Sequence, residues 1–160
     1  MMGKKQTQGF TIVELLIVIV VIAILATITL VTYNGIQLRA RDSRRAQDMS
    51  TIEKALLMYQ TLNGGVPKTS TYSSSGPGGW DISTNANWLA FLTASYGKMP
   101  VDPTNTGTAD PMNTYELTYF YFCYPPGSGL LPATSNVRLG YWSEQTKTQK
   151  NYSFAVDSCL

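Results

Sequence analysis

The chain has 160 residues, enough for one soluble domain beside an apolar N-terminal block, but not for two. It has no histidine, which removes the commonest general base and the commonest metal ligand. Formal net charge is +2; without Lys4 and Lys5 the twelve basic residues become ten, against ten acidic ones, so a bulk polyanion partner is not indicated.

Residues Met1 to Gly9 are short, polar and basic, and Phe10 to Val31 follow as an aliphatic block broken only by Thr11, Glu14, Thr27 and Thr29. As a helix at 1.5 Å per residue this block reaches about 33 Å, enough for a hydrocarbon core of about 30 Å. A secretory signal peptide has a shorter apolar core that stops at small residues; here the run continues past Ala23 and Ala26. A buried core helix is the other reading, and so little soluble chain could hardly enclose it. The block therefore reads as a membrane span. Lys4 and Lys5 favour a cytoplasmic N-terminus, whereas Arg39, Arg41, Arg44 and Arg45 vote the opposite way.

Glu14 is the one ionisable residue in the block, and such groups at membrane depth usually mark a function. Thr11-Ile-Val-Glu14 fits a capping box, in which the two residues cap each other's backbone amide at the helix start. A second role arises if the chain is cut between Gly9 and Phe10. The new α-amino group would lie at the depth of Glu14, and the ammonium of one chain could pair with the Glu14 of the next, setting an axial offset between helices. Pairing within one chain is the competing arrangement.

Lys4-Lys5 followed by Gly9-Phe10-Thr11-Ile12-Val13-Glu14-Leu15-Leu16 resembles the class III signal of type IV pilins and type II secretion pseudopilins. The resemblance implies a leader, residues 1–9, cut after Gly9 by a prepilin peptidase that methylates Phe10, with Glu14 required for assembly. It also implies an inner-membrane platform protein, an assembly ATPase, and copies of the chain itself in a helical filament. The chain departs from the pattern at Val31, where many pilins carry the Pro at which the helix loosens in the filament.

Residues 35–63 continue without proline, and Met49, Ile52, Leu56 and Tyr59 recur at helical spacing, with Ala55 and Leu62 alongside. Asn63-Gly64-Gly65 and Pro67 end the helix. Ile52, Ala55, Leu56 and Tyr59 followed by Asn63-Gly64 and Pro67 also resemble the segment of major pseudopilins and related pilins, so the resemblance covers about the first 67 residues. The four arginines are read as charges just outside the membrane that meet acidic groups or lipid headgroups; a plain solvated face is the alternative, and no specific nucleic acid is expected.

Residues 64–160 form the expected head, with a loop region over 64–114 and a sheet over 115–160. Thr69 to Gly79 is a loop by composition, whose hydroxyls are open to O-glycans or are simply loop chemistry. Asn85 to Tyr96 is expected as a short helix. Tyr115 to Tyr124 is the best strand: Tyr115, Leu117, Tyr119, Tyr121 and Cys123 fall on one face, and Thr118, Phe120, Phe122 and Tyr124 on the other. Val137–Trp142 and Tyr152–Val156 are further strands. The aromatic row raises electron conduction, but packing accounts for it. The fold class is α+β: a long N-terminal helix, membrane half 10–34 and head half 35–63, packed on a small antiparallel sheet as in pilins.

Cys123 and Cys159 suggest one disulfide in an oxidising compartment, two buried thiols being the alternative. The loop of about 37 residues would contribute about 4 kcal/mol. Asp102, Asn105 and Asp110 gather oxygen ligands in one loop, and the resemblance implies calcium there; the same residues are ordinary turn formers. An enzyme is not expected, since Ser/Lys, Cys-x-x-Cys and glycine-rich phosphate patterns are missing along with histidine. The expected function is a subunit of a type IV pilus or similar surface filament for adhesion, twitching or DNA uptake, held in the cytoplasmic membrane before assembly. The alternative is a pseudopilin of a type II secretion or competence pseudopilus.

Overall fold

The computed structural model describes residues 9–68, 80–107, 115–124 and 137–160, apart from the side chains of 29–32. Lys4, Lys5, the Thr69–Gly79 loop and Asp110 lie outside the described residues. The elements are α1 (Ile12–Asn63), β1 (Asp81–Ile82), α2 (Ala90–Tyr96), β2 (Tyr119–Cys123), β3 (Val137–Trp142) and β4 (Gln149–Phe154). Residues up to Gln37 and residues from Leu38 onward form two separate units.

In the first unit, the large apolar side chains described between Phe10 and Ile28 are all about half exposed or more. By length and composition this helix could cross a membrane. A helix that is apolar on every side has no single face to bury and calls for an apolar surrounding.

In the second unit most of the helical stripe is turned inward, with Tyr59 half-buried and Leu62, in the last turn, exposed. Met49, Ile52, Ala55 and Leu56 are buried in the main core. Each large one of these contributes about 1.5–3 kcal/mol by leaving water. Gly64 then takes a positive φ of 77°, open to glycine without strain, and its amide donates to the carbonyl of Gln60 at 2.7 Å, which ends the helix.

The sheet is antiparallel in the order β1-β2-β3-β4. Alternation along β2 works as expected. Tyr119, Tyr121 and Cys123 join the core that holds the helix stripe, while Phe120 and Tyr124 join Trp80 and Ile82 in a second cluster on the other face, with Phe122 packed against it. Gly140 of β3 pairs with Phe120, and a Cβ there would stand 2.5 Å from the Phe120 ring and 2.4 Å from the Lys150 carbonyl. The missing side chain is what lets the ring lie across the strand.

Three boundaries differ from expectation. Strand β2 starts at Tyr119 rather than Tyr115, because the Leu117 carbonyl accepts from the Thr106 amide and the buried Thr118 hydroxyl bonds Ser83 Oγ. Helix α2 starts at Ala90 rather than Asn85. Asn85 to Leu89 forms successive turns, and Leu89 sits at φ 45° with its amide donating to Asp81 Oδ2. Strand β4 runs from Gln149 to Phe154, earlier than expected, because the turn after Trp142 pairs Trp142 with Gln149 and so draws a polar segment into the ladder. The two-residue β1 carried no pattern long enough to read.

Cys123 and Cys159 are joined in a disulfide, with Cα atoms 5.7 Å apart. It ties the end of β2 to the C-terminal segment. That segment also bridges Val66: the Val66 amide donates to the Ser158 carbonyl and the Leu160 amide to the Val66 carbonyl.

Candidate functional site

Gly9 and Phe10 precede α1 in no regular structure, and both are exposed. A Cβ added at Gly9 would meet nothing within 4 Å. The Gly9–Phe10 peptide bond thus lies between two exposed residues.

Helix α1 then begins with a formed capping box. The Thr11 amide donates to Glu14 Oε2 at 2.9 Å, the Glu14 amide donates to Thr11 Oγ1 at 3.3 Å, and the Thr11 hydroxyl donates to the same Oε2 at 2.6 Å. Two amides that a helix start would leave unpaired are satisfied. A carboxylate has about four acceptor positions. The cap uses two of them, both on Oε2, so capping and a further cation on Glu14 are chemically compatible.

The second cluster of charged groups belongs to the head unit. Arg45 is fully buried. Its Nε and Nη2 donate to Asp102 at 2.7 and 3.0 Å, Nη1 donates to Asp42 at 2.9 Å, and Nη2 also reaches Glu144 at 2.7 Å. Arg41 holds Glu144 through a two-point fork, at 2.8 and 2.7 Å. Bonds from Tyr119 to Asp48 and from Ser143 to Asp42 extend the set.

The electrostatics follow from these contacts. The bonds from Arg41 lower the Glu144 carboxyl; burial opposes them and Arg45 adds to them. Burial alone would raise Asp42, but the Ser143 hydroxyl, the amides of Gln145 and Glu144, and Arg45 outweigh it and hold the group below its ordinary value. Tyr119 is pushed up by burial and then by its bond to Asp48. For Arg45, burial works against the charge and the carboxylates more than restore it.

The structure gives Asp102 another task than cation binding. Oδ1 accepts from Arg45 and from the amides of Thr104 and Asn105, while Oδ2 accepts from Arg45. The Asn105 side chain is engaged with Ser83. Among the described residues no group of three or more His, Cys, Asp or Glu is placed to hold a metal ion.

Sequence reasoning placed Arg45 among four arginines that meet acidic groups, which it does, but missed its burial, although a signal was present. Arg45 stands four residues before Met49 and seven before Ile52, on the line of the apolar stripe, where a side chain is carried inward whatever its charge.

Residues 4–30 match the family described as the prokaryotic N-terminal methylation motif. Three similar curated proteins are each described as type II secretion system core protein G. The one from Aeromonas hydrophila is 34% identical over 68 residues, 42% of this chain and 48% of that protein. The one from Escherichia coli (strain K12) is 29% identical over 109 residues, 64% of this chain and 70% of that protein. The one from Pseudomonas aeruginosa is 29% identical over 126 residues, 72% of this chain and 86% of that protein. The chain thus spans about half the length of the Aeromonas relative, and more of the other two. No solved structure matches at the same level of significance.

Proposed function

We infer, from its membership of the family of type IV pilins and type II secretion pseudopilins, that this chain is a pseudopilin, the repeating subunit of a short secretion filament. The reading rests above all on the Gly9–Phe10 junction, which opens directly onto a capped helix whose apolar sides are exposed. Similarity to core protein G that runs well past the signal favours a pseudopilus over the surface pilus expected from sequence.

In this reading the precursor waits in the cytoplasmic membrane with its N-terminus inside. Prepilin peptidase cuts after Gly9 and methylates Phe10. The new ammonium of one subunit meets Glu14 of a neighbour, and the aliphatic helices pack together as the assembly ATPase and platform protein draw subunits from the bilayer. Burying an unpaired carboxylate among apolar helices is costly, so only the register that pairs Glu14 is favoured.

The test is made in the source cells. The N-terminal peptide is weighed, and the protein is followed through sheared surface, envelope and secreted fractions in the parent and in a strain lacking the chain. The expected result is N-methylated Phe10, retention in the envelope, and loss of secreted proteins on deletion. Long filaments in the sheared fraction with unchanged secretion would instead make it a pilus subunit. An intact Met1 would remove the processing step altogether.

A further inference from the structure

Four arginines lie between residues 39 and 45, and the fold divides them. Arg41 and Arg45 are bonded to carboxylates, and Arg44 stands 3.9 Å from Asp48. The Arg39 side chain is exposed and has no hydrogen bond or ion pair among the described residues.

Lys150 is in the same condition, and the sheet brings it to Arg39 across 111 residues of sequence. On β4 the positions opposite Val137, Leu139 and Tyr141 are Phe154, Tyr152 and Lys150. The two aromatics pack on the core, as alternation requires. Lys150 occupies the same side but is exposed, and with Arg39, Ser43, Ala46, Tyr141 and Thr146 it lines an open groove of about 470 Å³. Arg39, Ser43 and Ala46 follow each other at i, i+4 and i+7, so one face of α1 forms one wall.

Asp42 also borders the groove, but its charge is already countered. Oδ1 accepts from Arg45 and the Glu144 amide, and Oδ2 from Ser143 Oγ and the Gln145 amide. What remains open is two cations and the Ser43 hydroxyl, beside Tyr141 and Ala46; the Thr146 hydroxyl already shares a hydrogen bond with Thr148. Two cations and a hydroxyl bordering one groove suit the charged oxygens of a phosphate ester, and the apolar surface of Tyr141 and Ala46 suits the carbon skeleton it carries. Arg39 comes eight residues after Val31, the end of the aliphatic block, and basic residues just beyond a membrane segment are where anionic headgroups are bound.

We propose that the Arg39–Lys150 groove binds the phosphate ester headgroup of an anionic phospholipid while the chain is held in the membrane. This rests on the membrane-stored stage of the reading above. It gives the head a second hold on the bilayer, one that must be released when the subunit is drawn out.

The full-length chain is studied in mixed micelles carrying equal amounts of phosphatidylglycerol and phosphatidylcholine, with bound lipid counted by native mass spectrometry. Phosphatidylglycerol is expected to be retained selectively. Replacing both cations (Arg39→Gln with Lys150→Gln) is expected to weaken its binding about 30-fold. An equal charge change outside the groove (Arg44→Gln with Lys54→Gln) is expected to leave it nearly unchanged, and so is the conservative Arg39→Lys. Equal loss in both double variants would reduce the effect to bulk charge and overturn the site. Displacement of the lipid by glycerol 3-phosphate or inorganic phosphate at matching concentration would make it a soluble-phosphate site and overturn the membrane source. Unchanged lipid binding with fewer crosslinks between copies would assign the groove to a carboxylate of a second copy. Thermal unfolding of both double variants checks that the head is intact. Micelle binding is read independently of insertion in cells, and alkaline carbonate extraction scores the latter, so failure of the anchored reading is told apart from failure of the groove.

Discussion

Arg45 and Asp102, 57 residues apart in the chain, form an ion pair in which neither side chain has any exposure. The pair fastens the first turns of the head half of α1 to the loop before β2, on the same side of the helix as the apolar stripe. Removing one partner of such a pair leaves the other charged and buried, so Arg45→Met is expected to destabilise the head by about 3–5 kcal/mol. Arg45→Met combined with Asp102→Asn is expected to recover part of that loss, since Asn keeps an acceptor for the Thr104 and Asn105 amides without the charge. Urea unfolding of the full chain in detergent measures both. A cost below about 1 kcal/mol for the single variant would mean that Arg45 is not the keystone of the cluster.

The same cluster makes stability depend on pH in one direction. Asp42 and Glu144 are held below their ordinary values of 3.8 and 4.5. A lowered folded-state pKa contributes stability that is present above the unfolded value and is lost as pH falls through the folded one. The head is therefore expected to keep this contribution from neutral pH down to about 4.5 and to lose it on further acidification. Urea midpoints taken from pH 7 to pH 3 test this, and Glu144→Gln is expected to flatten the acid limb. An equally steep fall in that variant would place the acid sensitivity elsewhere.

The parts of the fold written as periodicity were legible and the parts written as single contacts were not. Met49, Ile52 and Leu56 announce a helix face, and Tyr119 to Cys123 a strand with two apolar sides, because burial repeats at fixed spacing. Gln149 to Asn151 has no such pattern; it is strand because Trp142 pairs with Gln149 across a turn. Nor could sequence show which carboxylate Arg45 meets, since Asp102 and Glu144 reach it only through tertiary folding. At the start of α1, Thr11 and Glu14 are three residues apart, so local geometry sufficed to foresee their bonds. At Asp102, one of the three calcium candidates, sequence could not show that a guanidinium already holds both carboxylate oxygens.

Gly140 supports the second aromatic cluster by having no side chain. A methyl group there would overlap both the Phe120 ring and the Lys150 carbonyl. Gly140→Ala is expected to cost about 1–3 kcal/mol, the usual range for overpacking. If the clash with the ring dominates, Gly140→Ala with Phe120→Leu recovers much of the loss; if the carbonyl dominates, the double variant stays as weak as the single. Denaturant midpoints of the two variants decide between these.

The Cys123–Cys159 bond closes a loop with a sequence separation of 36. Constraint of the unfolded chain by a loop of that size contributes about 4 kcal/mol. Replacing both cysteines with serine, or reducing the native protein, is expected to lower stability by about 2–4 kcal/mol. The C-terminal segment that bridges Val66 is expected to open first, seen as faster hydrogen exchange at the Leu160 amide. Unchanged exchange there, with normal stability, would mean that the bridge to Val66 holds without the bond.

Glu14 can act as a cap, as a charge, or as both, and three variants separate the roles. Glu14→Ala removes both and is expected to stop filament growth while leaving the inserted, processed pool intact. Glu14→Gln keeps an oxygen for the Thr11 amide, as glutamine does in capping boxes, but carries no charge. Thr11→Ala keeps the charge and loosens the helix start by about 1 kcal/mol. If pairing with a neighbour's ammonium drives assembly, Glu14→Gln fails like Glu14→Ala, and Thr11→Ala assembles nearly as the parent does. If Glu14 serves only its own helix, the order reverses: Glu14→Gln assembles and Thr11→Ala suffers. Filament yield beside the mass of the N-terminal peptide reads all three, since the peptide shows whether each variant was cut after Gly9 before assembly was asked of it.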